Sequence, residues 1–525
     1  MAILTITPVV AQQTLLPPRL VVMITVDQLR TDYLQYLSSN LGNEGFKRLM
    51  HTGVFAPNIS FDYRNNLALT ANCATLQTGS NPKQHGISFD SYYNTEEAKE
   101  HSILHDKAVL GANTQAHLSP RAILAHTISD ELMITSKGQS RVYAIAPDAE
   151  EAIIGAGHLG TSALWIDDQT GQWCSSSYYH PLPTWISRMN KGASALSRRA
   201  NTLSWEPIQA TYKYSAAPYQ TNLKAFRYTY PNGEEERFTR FKRSPLINEE
   251  ISTMALELIR REQLGSNTMP DLLTINYYVG NPDETMGEEY SIEIQDAYIR
   301  LDMQLASLIN EIDRRVGLIN TVICLTGSGL YTTLPTSLVD ERLPHGSFYP
   351  ERCVALLNMY LMLIYGQENN WVERYENNQI FLNRKAAETE KIDLREMQAK
   401  AAEFVDQFSG VEEVTTYAIV YHGNTNDSRE HFGEGIHKSQ AGDLLIHLQP
   451  GWTVEHEESD RTTDSHKHHA VASPLFILGS GINPQKIERT IGATEVASTL
   501  SYIFRIRPPN AALSLPIPEI TKQYQ

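Results

Sequence analysis

The sequence predicts an α/β fold with a mostly parallel central sheet and helices on both of its faces. Three observations predict it. Short apolar runs recur along the chain at Leu20–Val26, Asp271–Tyr277, Thr321–Leu325 and Pro474–Leu478. Amphipathic stretches alternate with them, and runs this short and this apolar suit strands buried on both faces. The chain has 525 residues and is 41% apolar, enough for one large α/β domain with insertions.

The elements follow in chain order. Asp27 closes the first apolar run, and Thr70 opens the stretch Thr70 to Gly79, where Ser and Thr are ordinary helix N-caps. The longest predicted helix runs from Ser291 to about Arg315. Its apolar positions Ile294, Ala297, Tyr298, Leu301, Leu305, Leu308, Ile309 and Ile312 recur every three or four residues. A C-terminal helix follows around Ala493–Ile503. Ligands of such sheets sit beyond the C-terminal strand ends, so Asp27, the segment 278–285 and Gly327–Gly329 are expected to share one crevice. Two stretches read as insertions, about 168–243 and about 330–469, the second with its own amphipathic helix at Leu394–Phe408. Insertions at strand ends build walls and lids over such crevices.

Composition removes several function classes. Lys and Arg number 44 against 60 Asp and Glu, a net charge of −16 that disfavours nucleic acid. No apolar run approaches a membrane span. Residues 1–13 resemble the end of a secretory signal, with Val9 and Ala11 at the small-residue cleavage positions. The cysteines Cys73, Cys174, Cys324 and Cys353 are scattered, which predicts neither a zinc module nor a disulfide framework. Ser465 to His469 reads as a solvated histidine loop rather than a metal tract. Trp173, Tyr178, Tyr179, Trp185 and Trp205 read as packing of the first insertion, with an aromatic ligand wall as the other reading.

The motifs together resemble the alkaline phosphatase superfamily. The likeness is to bacterial periplasmic zinc enzymes with a Thr nucleophile, akin to type I phosphodiesterases and nucleotide pyrophosphatases. It rests on Val26-Asp27-Gln28, Asp32-Tyr33-Leu34, Thr70 to Gly79, His85-Gly86-Ile87, Ala156-Gly157-His158, Ala163 to Asp168, Gly442 to Leu445 and Pro450-Gly-Trp452. The resemblance implies one alkaline-phosphatase-like domain over 18–525, with the insertions as cap subdomains. It also implies two zinc ions that activate the nucleophile and stabilise the leaving oxygen.

Carried over position by position, the resemblance makes Thr70 the nucleophile and Asp27 a retained metal ligand. The other metal positions are degenerate: Asn281 and Thr285, Ser328 and Gly329, and Thr463, with His466 reached by a small register slip. Asp283 and Glu284 flank the first pair, but no shift brings His or Asp into Leu325–Leu330. The substrate-binding positions are altered as well. Asp148 and Glu150 stand where the family has phosphate-binding Lys and Arg, and Asp90 where it has Asn. These losses imply an inactive member of the cell envelope, periplasmic or secreted, without a cofactor. Its expected role is binding or scaffolding toward an envelope protein or a small ligand. The alternative is an active phosphate monoesterase or diesterase with Thr70 as nucleophile and Mg or Ca held by Asp27, Asp283 or Glu284.

Overall fold

Leu20–Asp27 (β1) lies at the middle of an eleven-stranded sheet in the computed structural model. The structure describes residues 16–63, 68–94, 99–215, 225–280, 290–333, 345–422, 433–456 and 467–524. The expectations for 1–13, Asn281, Asp283, Glu284, Thr285, Thr463 and His466 fall outside the described residues.

The other strands of the sheet are Val54–Ser60 (β2), Gly111–Ala112 (β3), Val142–Ile145 (β4), Ser162–Ile166 (β5), Trp173–Ser176 (β6), Asp271–Tyr278 (β7), Thr321–Gly327 (β8), Ser473–Gly479 (β9), Gln485–Lys486 (β10) and Ile491–Gly492 (β11). Their spatial order is β10-β2-β9-β8-β1-β7-β4-β5-β6-β3, with β11 beside β2. The run β8-β1-β7-β4-β5 is parallel. Helices used below are Leu69–Thr78 (α1), Ile128–Thr135 (α2), Ala149–Ala156 (α3), Leu246–Arg261 (α4), Ile292–Arg315 (α5), Pro350–Tyr365 (α6), Leu394–Val405 (α7) and Thr494–Phe504 (α8).

Alternation along β1 decides which helices pack where, since successive strand side chains point to opposite faces. Leu20, Val22, Ile24 and Val26 join one core with Ile251, Leu258, Leu301 and Leu308 of α4 and α5. Val21 and Met23 join the opposite core with Leu76 of α1, Ile128 and Leu132 of α2, and Val496 and Leu500 of α8. All these β1 side chains are fully buried. A strand covered on both faces must be apolar throughout, and that accounts for the sequence of β1.

Three expectations change. The strand around Pro474–Leu478 reads as part of the parallel alternation, yet β9 runs antiparallel to both β8 and β2. After β8 the chain leaves the sheet, and a ribbon of Leu330–Thr333 against Lys467–Ala470 brings it back at the same end. A return at the same end without a crossover must run antiparallel. That ribbon also takes up the described part of the histidine tract, from Lys467 on, where a loop is expected. Part of the first inserted stretch, β6, is an antiparallel strand of the main sheet.

The second inserted stretch has a core of its own. Strands Val372–Glu376, Gln379–Leu382, Val411–Thr416 and Leu444–Leu448 form a separate four-stranded sheet. It packs with α6 and α7 through Leu357, Leu361, Trp371, Met397, Ala401 and Ile446. All four cysteines are buried and unbridged. Among the described residues no helix is long and apolar enough to cross a membrane.

Candidate functional site

Strand register assembles the site. β1 and β7 pair in parallel so that Asp27 lies opposite Tyr278, while Val26 lies opposite Gly327 of β8. Asp27, Tyr278 and Ser328 therefore emerge at one sheet edge, the C-terminal edge where α/β sheets place ligands. There a cavity of about 420 Å³ is lined by Asp27, Thr70, Asp90, Asp148, Glu150 and Glu151, with Arg243 and Tyr278 among the remaining contributors. Of the segments expected to converge, Asp27 and Tyr278 line this cavity, whereas Val279, Gly280 and Gly327–Gly329 lie behind its wall, with Ser328 in contact with Asp27.

At the strand ends, Ser328 sits between main chain and carboxylate. Its Oγ donates to Asp27 Oδ1 at 2.9 Å and accepts the backbone N–H groups of Gln28 and Leu330, each at 3.3 Å. Asn72 Nδ2 fixes the same turn by donating to the Ser328 carbonyl at 2.8 Å. Gly329 follows with φ 76°, in the left-handed region that favours glycine. A Cβ at Gly329 would overlap the ring of Phe61. Phe61 thus fills the space a side chain at this position would need.

Asp27, Ser328 and Gly329 are the zinc-matched positions that the structure describes, and they do not fit a zinc pair. A zinc site takes thiolate, imidazole or carboxylate donors in close tetrahedral array. Among the described residues these three positions offer one carboxylate, a serine hydroxyl already engaged, and a glycine backed by an aromatic ring.

Thr70 is not the N-cap of its helix. Ala68 holds that position, and Thr70 lies inside the first turn of α1. Its hydroxyl points at Asp90 Oδ1, 2.6 Å away, with the Phe89 carbonyl at 3.0 Å. The Thr70 backbone N–H donates to the same Asp90 oxygen at 2.9 Å. A side-chain carboxylate thus satisfies one of the orphan N–H groups of the helix start, from twenty residues along the chain. The expectation of a local cap fails because this acceptor is tertiary.

The start of α3 supplies the acidic wall. Asp148 is its N-cap residue, and Glu150 and Glu151 lie in its first turn. Lys242 Nζ reaches Asp148 at 2.9 Å and Asp168 at 2.6 Å, and Arg243 lies 3.5 Å from Asp148. Burial opposes the charge on Asp148, but these two cations hold its carboxyl below the ordinary range. Glu150 and Glu151 respond in the other direction. Burial foremost, with repulsion from Asp148, raises both carboxyls, Glu151 well above its usual value.

The Ala156-Gly157-His158 motif has a different job. Asp130 Oδ1 accepts the N–H groups of His158 and Leu159 at 2.7 and 2.8 Å, and Asp130 Oδ2 meets His158 Nδ1 at 2.9 Å. A Cβ at Gly157 would collide with Thr127 Oγ1. This cluster ties the end of α3 to the start of α2. The aromatic residues of the first insertion are packing: Trp173 and Trp205 belong to the main core, and the Trp205 indole donates to Asp296 at 2.7 Å.

Sequence reasoning missed Phe61, Glu151, Lys242 and Arg243, whereas Tyr278 opens the segment it expected at the crevice. Glu151 had a signal, since it adjoins Glu150 in the same helical turn. The others come from distant segments and carry no local mark.

Comparison with known proteins places this chain in the alkaline phosphatase superfamily, whose family members are phosphoester hydrolases. The family model for type I phosphodiesterase / nucleotide pyrophosphatase matches residues 21–472, and the chain belongs to that family. A protein of Myroides odoratus named calcium-transporting ATPase is 28% identical over 98% of this chain and 97% of its own length. Alkaline phosphatase PafA of Elizabethkingia meningoseptica is 26% identical over 96% of this chain and 94% of its own. The crystal structure of wild-type PafA superposes with a TM-score of 0.81 at 25% identity, covering 96% of this chain and 99% of that one.

Proposed function

We propose that this chain is a catalytically inactive member of the family, acting in the cell envelope as a binding or scaffolding protein. The observation that carries the reading is the occupation of the metal edge: Ser328 engages Asp27, and Phe61 fills the space beside Gly329. The chemistry at Asp148 and Glu150 supports it: where the resemblance puts phosphate-binding cations stand two acidic side chains, and Asp148 engages Lys242 and Arg243, the cations beside the cavity. On this reading Thr70 anchors the start of α1 and attacks nothing, and no resident metal or cofactor is needed.

A second reading is favoured by one contact. Asp90 lies within proton-transfer distance of the Thr70 hydroxyl, so a general base is in place for a phosphate monoesterase or diesterase. Oxygen-rich binding of Mg²⁺ or Ca²⁺ at Asp27 would belong to this reading. The relatives named as an alkaline phosphatase and an ATPase lend it weight.

The deciding experiment measures metal content of the purified chain and assays phosphate mono- and diesters with added Zn²⁺, Mg²⁺ or Ca²⁺, beside Thr70→Ala. The inactive reading expects no stoichiometric metal and no turnover above the Thr70→Ala background. Metal-dependent turnover abolished by Thr70→Ala would overturn it. Envelope fractionation and capture of partners from that fraction test the location and the scaffolding role.

A further inference from the structure

Charge accounting at the crevice leads to a ligand class. Lys242 and Arg243 bind Asp148, and Lys242 also binds Asp168, so these four groups form a balanced network. The remaining carboxyls around the cavity are Asp27, Asp90, Glu150 and Glu151. Among the described residues no Lys or Arg pairs within 4.0 Å of Asp90, Glu150 or Glu151.

Glu151 supplies the independent sign of an incomplete site. It is 7% exposed and lines the cavity, yet its Oε2 has no hydrogen-bond partner. Buried polar atoms are satisfied in the great majority of cases, so an orphaned carboxyl oxygen on a residue that lines a cavity marks a place for a donor. A helix N-terminus attracts carboxylates. Even so, both Glu150 and Glu151 have raised carboxyls, so the helix start does not compensate them.

We propose that this crevice binds a small organic cation, a ligand bearing primary ammonium or guanidinium groups, in place of a phosphate ester. The inference rests on the inactive reading given above. Ammonium and guanidinium groups bring both charge and several N–H donors to Asp90, Glu150 and Glu151, with which no described Lys or Arg pairs within 4.0 Å. The cavity volume lies in the range of small-molecule sites. Tyr278 already carries one guanidinium, that of Arg243, 5.3 Å from its ring centroid, and presents an aromatic surface suited to cations. A polyatomic cation is favoured over a bare metal ion. Among the described residues no three of His, Cys, Asp and Glu stand close enough together to hold one metal.

The test is isothermal titration of the full chain with 1,4-diaminobutane and with 4-guanidinobutylamine, beside inorganic phosphate, CaCl₂ and MgCl₂. The proposal expects saturable one-to-one binding of at least one amine, no binding of phosphate, and a loss of about tenfold or more in Glu150→Gln and in Glu151→Gln. Glu150 is partly exposed, so Glu150→Gln carries the test even if Glu151→Gln fails to fold. Absence of saturable amine binding up to about 10 mM would overturn the proposal. So would amine affinity unchanged in both variants, or Ca²⁺ or Mg²⁺ binding through these carboxylates without amine binding. The same preparations are assayed for metal-dependent phosphoester turnover. Turnover would strike the inactive reading itself, whereas failed amine binding without turnover would strike this inference alone.

Discussion

Asp90 Oδ1 accepts both the hydroxyl and the backbone N–H of Thr70, at 2.6 and 2.9 Å. One carboxylate oxygen thus holds the Thr70 hydroxyl, which the resemblance matches to a nucleophile, and also the first turn of its helix. If that contact is structural, its loss will appear in stability. Asp90→Ala is expected to destabilise the fold by about 1–3 kcal/mol, because Thr70 is 2% exposed and its donors would lose their acceptor. Asp90→Asn keeps an acceptor oxygen and should cost less. Urea unfolding of the two variants beside the wild type checks the order.

Gly329 and Phe61 compete for one space. Gly329→His, which would put an imidazole at a position the resemblance matches to a metal ligand, is expected to destabilise the chain by about 1–3 kcal/mol from overpacking. The left-handed backbone adds strain of its own. Adding Phe61→Ala should recover part of the overpacking loss. A double-mutant cycle reads this as a coupling, and strict additivity would count against the competition.

Lys242 is buried between two carboxylates. Lys242→Met is expected to cost about 3 kcal/mol, the low end for breaking a buried pair, since Asp148 is partly exposed and Asp168 more so. Asp148 has a depressed pKa, so its share of stability is present above the ordinary 3.8 and fades as pH falls through the depressed value. The gap between wild type and variant should therefore narrow in strong acid. Denaturant curves at several pH values measure it.

His158 and Asp130 give a second pH window. Burial disfavours the charged imidazole, but the Asp130 contact overrides it and lifts His158 above its ordinary 6.5. Burial likewise opposes the Asp130 charge, and His158 with the surrounding N–H groups lowers it below 3.8. The Asp130 share of stability is lost as pH falls through its lowered value. The His158 share is fully present below 6.5 and lost as pH rises through its raised value. His158→Gln should therefore be most destabilising between these limits and less so in alkali. A flat difference across pH 5 to about 9 would refute the pairing.

Much of the fold was legible because buried strands and amphipathic helices write periodic patterns. Leu20–Val26, Thr321–Leu325 and the α5 repeat all became the elements expected of them. The direction of β9 was not legible, because a strand's sequence does not say which end the chain enters from. Among the described site residues, Asp27, Thr70, Asp90, Asp148 and Glu150 do share one cavity. Their partners were hidden. Asp90 is twenty positions from Thr70, and Lys242 is ninety-four from Asp148.

The one-dimensional pattern decided which strands are buried, which helices cover them and which residues stand at strand ends. Those follow from local periodicity and from the chemistry of each position. Only the tertiary structure decided the uses of those residues. Parallel register brings Asp27, Tyr278 and Ser328 to one edge, Phe61 closes the space beside Gly329, and Lys242 with Arg243 balances Asp148. Hydrogen bonds and charge pairing act over a few ångströms in space and ignore separation along the chain. The state of the Thr70 hydroxyl, held by Asp90 and facing a carboxylate-lined cavity, was therefore set by the fold.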